Sequence, residues 1–290
     1  MLIRGWVVGR RCLPKTINAV NKTNMSKKAP HTQNISNASH KAFVAHSIPI
    51  DAPLHGRPPA RFSDGEVLAI QYRTDPAAIA ELLPPPLVSL NDVVMVQLAR
   101  WGDVPGMGRD TFEANIMVAA KFISPAKTLI GAYSPYFYVD NDRAMSGGRE
   151  FHGQPKRFAK VTLESRGDIF IAQVIANGIT VFTGTMHYKA RRADFKEVCQ
   201  HVNPVTNINL KILPHIDGGY AVRQLTARDF VNIEIKECFG GVGTAEIHPH
   251  ATVPMYRLPV REQLEAYYWR GDFSLVGGIV LHDYLKSGEK

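Results

Sequence analysis

The 290-residue chain is 45% hydrophobic and 21% charged, enough apolar material for a sizeable core and unlike the composition of a disordered or fibrous protein. Its net charge of +8 sits at one end: residues 1–50 hold eight Lys and Arg and no Asp or Glu, and the other 26 basic residues balance 26 acidic ones. A folded part of zero net charge lacks the basic field of a nucleic-acid-binding protein, so no nucleic-acid partner is expected.

Residues 1–50 are expected to be a disordered basic extension, because residues 22–46 are rich in Asn, Ser, Lys and His and follow neither a 3.6 nor a 2 period. The apolar patch Trp6-Val7-Val8 is too brief for a signal-peptide core or a membrane span, so no membrane partner is expected. The acid-free, Arg-containing start has the composition of an organellar transit peptide, and an upstream start with Met25 as the initiator would give the same composition. The expected location is cytoplasmic, or mitochondrial if the extension is a transit peptide. Cys12, Cys199 and Cys238 are scattered and odd in number, which suits a reducing compartment rather than a disulfide framework.

Residues 51–290 read as one catalytic domain built mostly of strands. Stretches 67–72, 93–100, 115–122, 136–139, 168–176, 179–189, 220–225, 230–236 and 275–284 are rich in β-branched and aromatic residues and are bounded by Gly, Pro, Asn or Asp. Asp75-Pro76 opens a helix expected to end at Pro84, and a second helix is predicted over 259–269. Many strands without alternating helices predict an antiparallel or mixed β-barrel rather than a doubly wound sheet. Gly240-Gly241-Val242-Gly243 lacks the lysine of a phosphate loop and reads as a turn. His248-Pro249-His250 has no Glu or Cys at a ligand spacing, so it reads as solvated loop histidines and no metal is expected.

The most informative segment is Tyr138-Val139-Asp140-Asn141-Asp142, followed by Gly148-Arg149-Glu150-Phe151-His152-Gly153-Gln154-Pro155-Lys156-Arg157. Lys156 is held behind a proline, with a permanent cation next to it and aromatic and apolar residues around it. Burial and a neighbouring positive charge both disfavour an ammonium, and the neutral amine is the species that condenses with a ketone. Successive residues of an extended chain face opposite ways, so Arg157 need not touch Lys156, and burial would then be the larger cause. Arg149 and Glu150 read either as an ion pair bracing the turn or as contacts to a substrate carboxylate. Glu113, among Phe112, Ile116 and Met117, reads as a partnered or protonated acid.

The Asp-Asn, Gly-Arg-Glu and Pro-Lys-basic elements resemble the signature of the acetoacetate decarboxylase family. Further similarities run from Tyr72-Arg73-Thr74-Asp75 and Leu82-Leu83-Pro84-Pro85-Pro86-Leu87, through Met186-His187-Tyr188-Lys189 and Leu210-Lys211-Ile212-Leu213-Pro214, to 279–286. The resemblance implies a closed, cone-like β-barrel with the reactive lysine inside, Lys156 as Schiff-base lysine, Arg157 in place of its neighbouring lysine, and Glu113 as one active-site glutamate. The second glutamate falls on Gln97 and the family's amino-terminal arginine on Gly65, while Glu237 matches an acidic position. The expected activity is decarboxylation of a β-keto acid through an imine, releasing CO2 and a ketone. No organic cofactor is expected, since the imine is itself the electron sink. A small-molecule keto acid is the expected partner, and a homo-oligomer the expected assembly. Two alternatives stay open: a Schiff-base aldolase-dehydratase working on pyruvate-type acids, and a non-catalytic small-molecule-binding barrel.

Overall fold

The structure is a computed structural model that describes residues 46–288. The basic extension and the question of its start therefore lie, up to residue 45, outside the described residues. Strands β1 (Ala60–Arg73), β2 (Leu87–Val104), β3 (Gly108–Ile123) and β4 (Thr128–Val139) form an antiparallel meander, with α1 (Pro76–Leu82) between the first two. Helix α2 (Asp142–Ser146) runs into a π-helical turn, Gly147–His152, and then into the short β5 (Lys156–Phe158), parallel to β4. A second meander follows: β6 (Lys160–Arg166), β7 (Ile169–Ala176) and β8 (Ile179–His187). The remainder comprises β9 (Arg191–Arg192), α3 (Phe195–Val198), β10 (Thr206–Pro214), β11 (Tyr220–Ile247), β12 (Glu262–Gln263), β13 (Glu265–Leu275) and β14 (Ile279–Asp283).

The pairings close a circuit. β10 lies parallel to β4 and antiparallel to β11, β11 pairs with β13, and β13 with β1, so seven strands return to their starting point. The 28-residue β11 is long enough to leave the ring and pair at its far end with β8, which carries β7 and β6 with it. This is the mainly β, mixed, cone-like architecture expected from the sequence.

Both faces of the central parts of β1, β2 and β3 are buried, which is why their sequences there are nearly continuous apolar runs. Leu68, Ile70, Tyr72, Val94, Val96 and Leu98 join Val161, Ala172, Val174 and Phe182 of the second meander in one core. The alternate residues Val67, Ala69, Met95, Ala99 and Trp101 join Trp269 and Phe273 in another, and several of them border a cavity. Residues two apart share a face, so the cavity-facing set follows from any one member.

Two sequence expectations are corrected. The predicted helix 259–269 is instead the strand pair β12 and β13: Leu264, Glu265 and Ala266 are good helix formers, but their backbone closes the ring between β1 and β11, and tertiary pairing overrides local propensity. The Gly240-Gly241-Val242-Gly243 turn is the interior of β11, where a Cβ on Gly243 would lie 2.3 Å from Cβ of Ala266 on β13. Among the described residues no helix is long and apolar enough to cross a membrane, and no cluster of three or more His, Cys, Asp or Glu could hold a metal ion.

Candidate active site

Four adjacent strands place one side chain each in a row across the inside of the ring: Lys156 of β5 is level with Phe137 of β4, Phe137 with Asn115 of β3, and Asn115 with Gln97 of β2. Cross-strand neighbours of this kind stand about 5 Å apart on one face, so the backbone register assembles the row. Glu113 lies two residues before Asn115 on the same face. All five residues line a cavity of about 250 Å3 with otherwise largely apolar walls, among them Phe62, Trp101, Trp269 and Phe273.

The approach to Lys156 is shaped for it. Gly153 takes the left-handed conformation at φ 77°, ending the π-helical turn. A Cβ on Gly148 would come within 2.5 Å of Lys156 Cδ, so glycine there leaves the side chain its channel. Arg149 Nη1 donates to the Lys156 carbonyl at 3.1 Å and fixes the strand start.

Lys156 is only 5% exposed, and its Nζ donates to Glu113 Oε1 and, at 3.2 Å, to the Ala144 carbonyl. The Phe137 ring centroid lies 4.7 Å from the same nitrogen. The other oxygen of Glu113 accepts from Trp101 Nε1 at 2.8 Å, so the carboxylate is clamped from both sides. Burial pushes the Lys156 amine well below the usual lysine range; the Glu113 carboxylate opposes that shift, and the charge of Arg228 adds to it. His152, also in the cavity wall, is pushed down to about 2, first by burial and then by the charges of Arg228 and Lys156, so it stands neutral beside them.

The predicted site residues separate into those brought together and those sent elsewhere. Lys156, Glu113 and Gln97 meet in the cavity, where Gln97 Nε2 has no hydrogen-bond partner. Arg157 does not join them: strand alternation turns it outward, where it is exposed and donates to the Thr252 carbonyl. Arg149 and Glu150 form no ion pair with each other, and neither lines the cavity. Arg149 braces the backbone, while Glu150 accepts from Ser146 Oγ at 2.8 Å and faces His55 Nε2 at 3.3 Å. Glu237 pairs with Lys189 at 2.5 Å and Arg270 at 3.6 Å in a separate hollow on β11 and β13. At Gly65 a Cβ would come 2.7 Å from the Trp101 ring, so the place implied for an arginine is filled by indole.

Trp101, Asn115, Asn207 and Arg228 also line the cavity, and the sequence reading missed them. Trp101 and Asn115 were accessible by period-2 counting from Gln97 and Glu113. Arg228 carried no such signal, because the register of β11 shifts repeatedly along its length.

The sequence model of the acetoacetate decarboxylase (ADC) family matches residues 47–285. An acetoacetate decarboxylase of Burkholderia ambifaria is 34% identical over 251 residues, covering 87% of this chain and 98% of that protein. The crystal structure of acetoacetate decarboxylase from Legionella pneumophila superposes with a TM-score of 0.74 at 31% identity, covering 79% of this chain and 89% of that one. The enduracididine biosynthesis enzyme MppR, solved with pyruvate, shares the fold at a TM-score of 0.70 and 21% identity, covering 83% of this chain and 98% of its own.

Proposed function

The chain belongs to the acetoacetate decarboxylase family, and on that premise we propose that it is a carboxy-lyase that forms a Schiff base between Lys156 and a β-keto acid. The observation that carries this reading is a buried lysine whose amine is held below its usual pKa and touches one clamped carboxylate inside an apolar cavity. Neutral Nζ adds to the ketone carbon and water leaves, giving a protonated imine. The bond to the carboxylate carbon then breaks, its electron pair moves to the imine nitrogen, and CO2 departs from an enamine. Glu113 is within reach of that nitrogen and serves as proton carrier while the enamine carbon is protonated; hydrolysis returns the ketone and Lys156. Gln97 and Gly65, in place of the family's glutamate and arginine, favour a bulkier or differently substituted acid over acetoacetate itself.

Borohydride added with a keto acid should label Lys156 alone by intact mass and peptide mapping, and Lys156→Ala should be unlabelled and inactive. Labelling of another lysine would remove the reading. Gln97 and Gly65 fit an aldolase-dehydratase equally well. Carbon-carbon bond formation from pyruvate and an aldehyde, with no CO2 from any β-keto acid, would replace the carboxy-lyase reading with that one.

A further inference from the structure

Arg228 is a charge in the cavity wall that forms neither a hydrogen bond nor an ion pair with Lys156 or Glu113. It is 6% exposed, and one of its nitrogens donates to Asn207 Oδ1, at 3.2 Å, from the residue directly opposite it across β10 and β11. Its guanidinium carbon lies 4.8 Å from the Phe230 ring centroid, so an aromatic surface covers it there. Nε and Nη1 are buried and have no hydrogen-bond partner, and among the described residues no carboxylate comes within ion-pair distance of it. A buried cation of this kind is costly unless an anion joins it. Nη2 has a second N–H besides the one given to Asn207, and with one of its unpartnered neighbours it offers a single two-pronged edge to the two oxygens of a carboxylate.

We propose that Arg228, braced by Asn207, whose own amide donates to the Pro204 carbonyl, forms an anion subsite that holds a carboxylate retained through the reaction, and that the enzyme therefore acts on 3-oxo dicarboxylic acids. This inference rests on the carboxy-lyase reading above. The carboxylate that leaves as CO2 loses its charge in the transition state, so a cation fixed on it would stabilise the ground state more than the transition state and slow the step. A second carboxylate, beyond the ketone, keeps its charge throughout, and Arg228 can hold it without opposing the loss of CO2. The leaving group is then free to sit against Phe137 and Trp101, the rings that contact Lys156 and Glu113. The dicarboxylate takes up one proton and yields one CO2 and one oxo monocarboxylate, with the imine made and hydrolysed by the same water count.

The test is a matched pair: 3-oxoadipate and 3-oxohexanoate, of equal chain length and differing in the terminal carboxylate. The wild-type protein should prefer 3-oxoadipate in kcat/KM by about tenfold or more, with adipate a better competitive inhibitor than hexanoate. Arg228→Met should abolish that preference, mainly through KM, by a factor on the order of a hundred for the diacid, and Arg228→Lys should restore part of it. A wild-type preference for 3-oxohexanoate overturns the inference, as does a preference that survives Arg228→Met. Should Arg228→Met fail to fold, the adipate and hexanoate inhibition of the wild-type protein decides alone. Failure of the underlying reading is separable: it appears as absence of borohydride label on Lys156 with either acid, whereas adipate binding to Lys156→Ala by calorimetry, against hexanoate, reports the anion subsite without imine chemistry.

Discussion

Replacing Glu113 by Gln should move two observables in opposite directions. The amide keeps the shape of the carboxylate, can still accept from Trp101 Nε1 through its oxygen, and can turn its NH2 toward Lys156. What it removes is the negative charge, the one influence that raises the Lys156 amine against burial and Arg228. The amine should therefore lose its proton at lower pH in Glu113→Gln than in the wild-type protein, and borohydride trapping at mildly acid pH should be more complete. Turnover should nevertheless fall, because the proton carrier next to the enamine is gone. A positioned acid or base contributes roughly 10²- to 10⁴-fold, about 2.7 to 5.5 kcal/mol at 1.36 kcal/mol per tenfold. The loss should appear in kcat with little change in KM, since the interaction matters in the transition state.

Stability supplies a second readout of the same change. A protonated Lys156 left without its partner would cost about 3 to 5 kcal/mol, and deprotonation is the escape. With the folded amine held below the unfolded one, the unfolded chain binds more protons in that interval, so stability rises with pH through it and falls toward its acid end. Glu113→Gln should thus be most destabilised in acid, measured by Tm against pH. A labelling profile displaced to higher pH, or turnover at the wild-type rate, would refute the assignment of charge and proton transfer to Glu113.

Gly148→Ala should block the channel of the Lys156 side chain, whose Cδ would lie 2.5 Å from the new Cβ, and trapping should drop at least tenfold in a protein that still melts cooperatively, as checked by intact mass and calorimetry. Arg157→Gln should leave the pH profile of trapping where it is, because Arg157 is exposed and turned away, while Arg228→Met should shift that profile upward in pH by removing a charge that lowers the amine. His152 is neutral in the fold, with its pKa pushed down to about 2, so it contributes acid sensitivity as pH falls below the ordinary histidine value. Two units below that value the contribution is about 2.7 kcal/mol, and His152→Gln should flatten the Tm profile there; an unchanged slope would contradict the burial argument.

The fold was legible wherever one physical cause dominated. The runs in β1 to β3 are apolar on both faces because the ring is packed inside and out, and their strand character could be read directly. Lys156 was legible because proline, glycine and aromatic neighbours set it apart. Where local and tertiary preferences disagreed, the sequence pointed the wrong way: the helix formers of 261–266 became the strands that close the ring, and the glycines at 240–243 are flat surface for close packing rather than a turn. Arg157 and Arg228 show the same limit within the site. Adjacency in sequence suggested the first, yet alternation sends it to solvent, whereas the second is seventy-two residues away from Lys156 in sequence and enters the cavity from β11, two strands along the ring from β4.

Gly65, Trp101 and Arg228 are best understood together. A Cβ at residue 65 already collides with the Trp101 ring, so an arginine there and this indole are mutually exclusive occupants of one space. With indole in place, Glu113 gains a neutral donor at 2.8 Å, which orients the carboxylate without competing with Lys156 for its charge. A cation in the space the indole fills would instead bring a positive charge toward Glu113 beside the lysine. In this chain the permanent positive charge enters from β11, opposite Asn207 and over Phe230, with two of its nitrogens left unpartnered. Its field still reaches Lys156, where it assists burial in lowering the amine, so activation of the nucleophile survives the change. On the proposed reading, the location of the charge, rather than its presence, selects which carboxylate is held and which is free to leave.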